Sequence, residues 1–202
     1  MKHAVETLRG TFTQPRCLAR HNDPSARMRS VMNYKIASAR PTDLPSLPAI
    51  ELAAAQLLAG HAPESVLTET TSQEEFVHAQ RQGYLWVALA AHIPVGFARV
   101  KVLEPMIAHL DEIDVHPDHG RRGLGSRLVM AVCEWAAASG YQSVTLSTFR
   151  DVPWNMPFYA RCGFEVIPPN ALSTVLRSVV HDETRRGLDP ARRVIMRRAC
   201  AV

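Results

Sequence analysis

Residues 110–128 read LDEIDVHPDHGRRGLGSRL, and this stretch limits the fold more than any other. The apolar residues stop at Val115, Pro117 turns the chain, and Gly120, Gly123 and Gly125 follow among Arg121, Arg122 and Arg127. From there Leu124, Leu128, Val132 and Ala136 fall on one face of a helix that ends at Ser139-Gly140. A strand therefore enters a helix through a glycine-rich turn. The first N–H groups of a helix lack partners inside it, and glycines let a ligand approach the backbone, so the junction suits an anion such as a phosphate. The plain alternative is a tight turn with solvated arginines.

The glycine spacing separates the phosphate motifs. A P-loop needs a lysine after its glycine, and none stands here. The dinucleotide fingerprint needs GxGxxG, whereas the order here is Gly120-x-x-Gly123-x-Gly125, with Leu128 three residues further on. The strand before the turn carries a second signal. Ile113 and Val115 alternate, but the previous large apolar residue is Leu110 rather than residue 111. One extra residue, a β-bulge, explains the slip, and a strand that begins at Ile113 is the other reading.

The remaining pattern supplies the neighbours of this junction. Tyr34–Ala37 reads as a strand, Leu44–Leu58 as a helix with an inner stripe of Leu47, Ile50, Ala54, Leu57 and Leu58, and Ser72–Glu75 as a capping box for a helix ending at Gly83. Leu85–Ala90 and Val95–Leu103 form an antiparallel pair, and Met106–Val115 a third strand. Val144–Ser147, Phe164–Ile167 and Val194–Met196 read as strands, Asn155–Cys162 as a short helix. Residues 171–186 form a helix striped by Leu172, Val175, Leu176, Val179 and Val180. The order is β-α-α-β-β-β-α-β-α-β-α-β, an α/β or α+β sheet covered by helices.

With 202 residues and 47% hydrophobic content, the chain holds one domain with length to spare. Residues 33–202 are expected to be that domain, and residues 1–32 a basic, flexible extension. That extension carries six basic and two acidic residues, so the whole +4 formal charge lies there and the domain is formally neutral. No nucleic-acid partner is expected of the domain. No apolar run approaches 18 residues, so no membrane partner is expected either. Cys17, Cys133, Cys162 and Cys200 lie far apart without a CxxC pair, which reads as free buried thiols in a reducing, cytoplasmic compartment.

Two segments together resemble a family. Leu110-x-x-Ile113-x-Val115-x-Pro117 with Gly120-Arg121-Arg122-Gly123-Leu124-Gly125-Ser126 looks like the acetyl-CoA motif of the GNAT superfamily of N-acetyltransferases. Asn155-Met156-Pro157-Phe158-Tyr159-Ala160-Arg161-Cys162-Gly163-Phe164 is similar to the family's second motif, and Val95-Gly96-Phe97-Ala98 to its usual third strand. The resemblance spans about residues 34–200. It implies a mixed, mostly antiparallel sheet of six or seven strands flanked by helices, with a splayed parallel strand pair holding coenzyme A. Ile113 and Val115 would pair with the pantetheine arm, and Gly120, Arg121, Arg122, Gly123, Leu124, Gly125 and Ser126 would hold the diphosphate. Gly120 stands where the family usually has Gln or Arg, so a side-chain contact is lost there and the backbone donors stay.

The resemblance also implies the chemistry: acetyl transfer from acetyl-CoA to a primary amine of a small molecule or peptide, by direct attack in a ternary complex. Tyr159 would protonate the leaving sulfur, or only pack beside the coenzyme. Asn155 would bond the pantetheine, or only cap its helix. The N–H of Ile113 would meet the oxyanion. Glu112 would be the base, with Asp111 and Asp114 beside it and one of the three in a salt bridge. Glu75, Phe76, Arg150, Asp151 and Trp154 are expected to wall the acceptor site. The helix over 171–186 would close over the acceptor or join a homodimer. His116 and His119, three apart, could bind zinc on a helix, but Pro117 and a turn intervene and no third ligand is evident, so no metal is expected. The reading from another class is a non-catalytic acyl-CoA-binding regulatory module.

Overall fold

Antiparallel neighbours make up most of the sheet, and a helical crossover joins one pair of neighbouring strands in parallel. The computed structural model describes residues 33–200. The expectations placed on residues 1–32, Cys17 among them, lie outside the described residues. The strands are β1 (Tyr34–Ser38), β2 (Leu85–Ala90), β3 (Ile93–Glu104), β4 (Ile107–Val115), β5 (Ser143–Phe149), β6 (Glu165–Val166) and β7 (Arg193–Ala199). They form one sheet in the order β1-β2-β3-β4-β5-β7-β6. Among the described residues only β4 and β5 are parallel neighbours. The β2–β3 connection is a two-residue turn in which Ala91 and His92 both take positive φ, 46° and 78°. That is the turn whose twist suits a hairpin, adopted here without a glycine.

The helices are α1 (Leu47–Ala55), α2 (Glu64–Thr68), α3 (Gln73–Gln82), α4 (Leu124–Ala138), α5 (Asn155–Arg161) and α6 (Thr174–Arg185). On one face of the sheet, Leu128, Val129 and Val132 of α4 are fully buried against β2, β3, β4 and β5 residues such as Ala98, Leu110 and Val144. Each such side chain contributes roughly 1.5–3 kcal/mol. On the other face, Leu47 and Ile50 of α1 and Phe76 of α3 pack with Val87 and Phe97. Ser72 caps α3: its Oγ accepts from the Glu75 N–H while Glu75 accepts from the Ser72 N–H, which is the capping box expected from the sequence.

Several expectations are corrected. The helix expected over Leu44–Leu58 is α-helical only at Leu47–Ala55, flanked by 3-10 turns over Pro41–Ser46 and Gln56–Leu58. The tighter turn rotates Leu57 outward, leaving it 54% exposed instead of on the inner stripe. Helix α2 carries no strong pattern and was not expected. Of the stripe on α6 only Leu176 is buried. Phe76, expected in the acceptor wall, is fully buried in the core. Cys133, Cys162 and Cys200 are free, but only Cys133 is buried.

Candidate active site

The parallel β4–β5 ladder is short. It pairs Ile107 with Ser143 through Leu110 with Leu146 and goes no further, although β4 continues to Val115 and β5 to Phe149. Beyond Leu110 the two strands part. At the same point the β3–β4 register slips, with Val100 opposite Leu110 but Arg99 opposite Glu112. Asp111 is the extra residue, so the bulge inferred from the Leu110–Ile113 spacing is present. It keeps Ile113 and Val115 on the α4 side with Leu110. It turns Glu112 and Asp114, cross-strand partners of Arg99 and Phe97, to the face of α1 and α3.

The glycine turn sits at the end of β4. Arg121 and Gly123 both take positive φ, 55° and 76°, and Gly123 is the N-cap of α4 without a side chain to cap it. The first-turn amides of α4 are therefore left for another acceptor. A Cβ at Gly125 would lie 3.2 Å from Cζ of Phe158, so α5 closes tightly over this helix start. The three arginines divide. Arg127 donates to the Tyr34 carbonyl at 2.9 Å, Arg122 lies 5.8 Å over the Tyr34 ring, and Arg121 is exposed. His119 Nδ1 is 3.0 Å from the Tyr34 hydroxyl, which ties the turn to β1. His116 Nδ1 accepts from the Asp118 N–H at 3.3 Å. Among the described residues no group of three or more His, Cys, Asp or Glu side chains is placed to hold a metal ion.

Helix α5 starts at Asn155, whose N–H donates to the carbonyl of fully buried Val152. Tyr159 packs edge-on to Phe158 and Phe164, with centroids 4.9 and 6.2 Å away. Burial, with the nearby charges of Glu112 and Asp114, pushes its phenol well above its usual range. It stays protonated throughout the neutral range.

Two nearby carboxyls are likewise raised, out of the ordinary carboxylate range. Burial lifts Glu112 to about 7, with Glu51 and Asp111 adding to the rise and Arg99 and Arg186 opposing it. Burial also raises Asp114 well above the usual range, reinforced by Glu112 and Glu51 and by a side-chain hydrogen bond to Glu112. Asp111 differs: its Oδ2 is 2.5 Å from Arg99 and 3.2 Å from Lys101, so it is the member of the trio held in a salt bridge. A carboxyl titrating near neutrality can take a proton at physiological pH, and a phenol kept protonated can give one.

The expected acceptor walls scatter. Glu75 faces Arg99 at 3.5 Å and Lys101 at 3.7 Å. Asp151 is paired with Arg192 at 2.6 Å, which leaves it engaged rather than open beside Trp154. Trp154 is 46% exposed and meets His61 edge-on at 5.5 Å. Arg150 is exposed.

Other residues on this face escaped the sequence reading. Glu51 of α1 accepts from the N–H and hydroxyl of Thr71 at 3.0–3.1 Å, a buried strap under the carboxyl group. Its only sequence signal is a lone carboxylate in the apolar run LPAIELAAA. Buried His109 lies 2.9 Å from Thr145 Oγ1, and burial lowers its pKa. Glu183 of α6 pairs with Arg193 of β7 at 2.5 Å and accepts from Ser147 of β5 at 2.9 Å. Ser173, the N-cap of α6, lies 2.8 Å from Glu104, and the Arg186 carbonyl just past the helix accepts from Ser65 at 3.1 Å. Helix α6 is thus tied down at both ends across this face.

A model described as the acetyltransferase (GNAT) family matches residues 50–164. Solved structures share the fold at low identity. The PaiA N-acetyltransferase from Thermoplasma acidophilum, in complex with coenzyme A, is 18% identical, with a TM-score of 0.66 over 83% of this chain and 99% of that one. The N-acetylglutamate synthase from Neisseria gonorrhoeae, with coenzyme A and N-acetylglutamate, is 17% identical, with a TM-score of 0.65 over 84% of this chain and 36% of that one. The ribosomal-protein-S18-alanine N-acetyltransferase from Escherichia coli is 20% identical, with a TM-score of 0.59 over 84% of this chain and 96% of that one.

Proposed function

This chain belongs to the GNAT acetyltransferase family, and from that premise we propose that it moves an acetyl group from acetyl-CoA to a primary amine of a small molecule or peptide by direct attack in a ternary complex. The observation that carries the proposal is the parting of β4 and β5 beyond Leu110 and Leu146, with Glu112 on the bulge and Tyr159 within range of its charge.

Ile113 and Val115 offer backbone groups on the free edge of β4 to the pantetheine arm, with Asn155 bonding the same arm. The turn from Gly120 through Arg121, Arg122, Gly123, Leu124 and Gly125 to Ser126 receives the diphosphate on backbone amides. Glu112 takes a proton from the incoming ammonium, because only a neutral amine can attack. The Ile113 N–H donates to the oxygen on which charge develops. Tyr159 hands its proton to the departing sulfur. Cytoplasmic placement fits the free thiols Cys133, Cys162 and Cys200. A homodimer would use the half-buried residues of α6.

Calorimetry with acetyl-CoA, beside thiol release over an α,ω-diamine, an amino-acid amide, a lysine peptide and a free peptide N-terminus, tests the reading. Binding together with turnover on one amine class supports it. Binding without turnover on any amine replaces it with the regulatory module, and no binding removes the coenzyme site.

A further inference from the structure

The proposed base does not stand alone. The bulge at Asp111 puts Glu112 and Asp114, two residues apart, on one face of β4. Glu112 raises the pKa of Asp114, by its charge and as a hydrogen-bond partner. Two ionised carboxylates have no proton to make such a bond, so one of the two must be the donor. Among the described residues, Asp114 Oδ2 is buried without a partner. Its cross-strand neighbour is Phe97, fully buried in an apolar cluster. That side of Asp114 offers nothing to stabilise a negative charge.

We propose that Asp114 is a positioning residue for acetyl transfer: it stays protonated through the working pH range, donates its O–H to the Glu112 carboxylate, and so holds the pair to one negative charge, carried by Glu112. The inference rests on Glu112 being the base. The groups that face the pair bear on the same balance. Glu51 from α1 and Asp111 from β4 disfavour a second negative charge, Arg99 from β3 and Arg186 after α6 favour charge on Glu112, and the Tyr159 phenol remains neutral. Burial acts most strongly against ionisation of both carboxyls. When the ammonium arrives, its N–H bond breaks, the proton joins Glu112, and the electron pair stays on nitrogen. The pair is then neutral and Asp114 has not lost its proton.

The test is a pH titration of the full chain carrying 13C-labelled Glu and Asp carboxyls, read by NMR, with Glu112→Gln and Asp114→Asn assigning the two signals. The wild-type Asp114 signal should stay in its protonated position at pH 7 while Glu112 titrates. In Asp114→Asn, whose amide still donates, the Glu112 midpoint should move by less than about half a pH unit. In Asp114→Ala it should rise by about one unit, the loss expected for a hydrogen bond to a charged group. An Asp114 signal ionised at pH 7, a Glu112 midpoint that falls in Asp114→Asn, or one unmoved in Asp114→Ala overturns the proposal. Should the alanine protein not fold, the wild-type and asparagine spectra still decide. Turnover of Glu112→Gln with the reactive amine checks the base separately: full activity there would remove Glu112 as base whatever the titration reads.

Discussion

Asp111, the residue that the bulge inserts, places Oδ2 2.5 Å from Nη2 of Arg99 on the neighbouring strand. Arg99 is 6% exposed and its Nε has no partner among the described residues, so it depends on its Nη contacts to Asp111 and to Glu75. The inserted residue thus neutralises the cation beneath the candidate site. Asp111→Ala should destabilise the fold by about 2 kcal/mol, because it leaves a buried guanidinium with one weaker partner. Thermal denaturation would measure this.

Tyr159→Phe keeps the ring between Phe158 and Phe164 and removes only the hydroxyl. Turnover should fall by about 100-fold, the usual scale for a lost general acid, while acetyl-CoA affinity stays within about twofold. A parallel loss of affinity would assign the hydroxyl to coenzyme binding instead.

The acid limb of the rate profile should follow Glu112. A base must be unprotonated, so acetyl transfer should rise with pH through about 7 and level off above it. Initial rates at saturating acetyl-CoA between pH 5.5 and 9 would show the limb. In Glu112→Gln that limb should vanish together with most of the activity.

The same group should cost the fold stability. Glu112 titrates at about 7 in the folded protein against 4.5 ordinarily, so between these values the native state holds more protons than the unfolded one. Stability therefore declines as pH rises through this window and is flat above it. Glu112→Gln removes the titration and should make the protein more stable than wild type at pH 8 by about 3 kcal/mol, and little different at pH 4. Denaturant melts at the two pH values would compare them.

Gly96 tests the strand from behind. A Cβ there would stand 2.7 Å from the carbonyl oxygen of Asp114 and 3.1 Å from a Val115 methyl. Backbone cannot swing aside as a side-chain end can, so Gly96→Ala should push β4 at the carboxyl pair and destabilise the protein by about 1–3 kcal/mol. Activity should drop beyond what the lost stability explains, measured well below the melting temperature.

The sequence revealed the parts of this site that depend on local spacing. The phase slip between Leu110 and Ile113 revealed the bulge, the glycines marked the start of α4, and Ser72 with Glu75 marked the start of α3. What it hid depends on distance along the chain. Glu51 meets Thr71, His109 meets Thr145 and Ser147 meets Arg193, pairs 20, 36 and 46 residues apart, and no periodicity links such partners. Helix α1 hid its own phase, because LPAIELAAA is apolar nearly all round and the 3-10 turn after it changes the repeat. Asp151 looked free for an amine until Arg192, 41 residues on, claimed it.

The ladder that stops at Leu110–Leu146 leaves a sheet with an internal seam. Strand edges in the middle of a sheet, unlike those at its rim, are flanked by packed layers on both sides. Whatever lies in that seam completes a structure that the described residues leave open. Its binding energy is then added to the folding energy by mass action. A coenzyme bound in that seam would therefore hold the two strand edges together, and the more of it present above its dissociation constant, the harder the sheet would be to open.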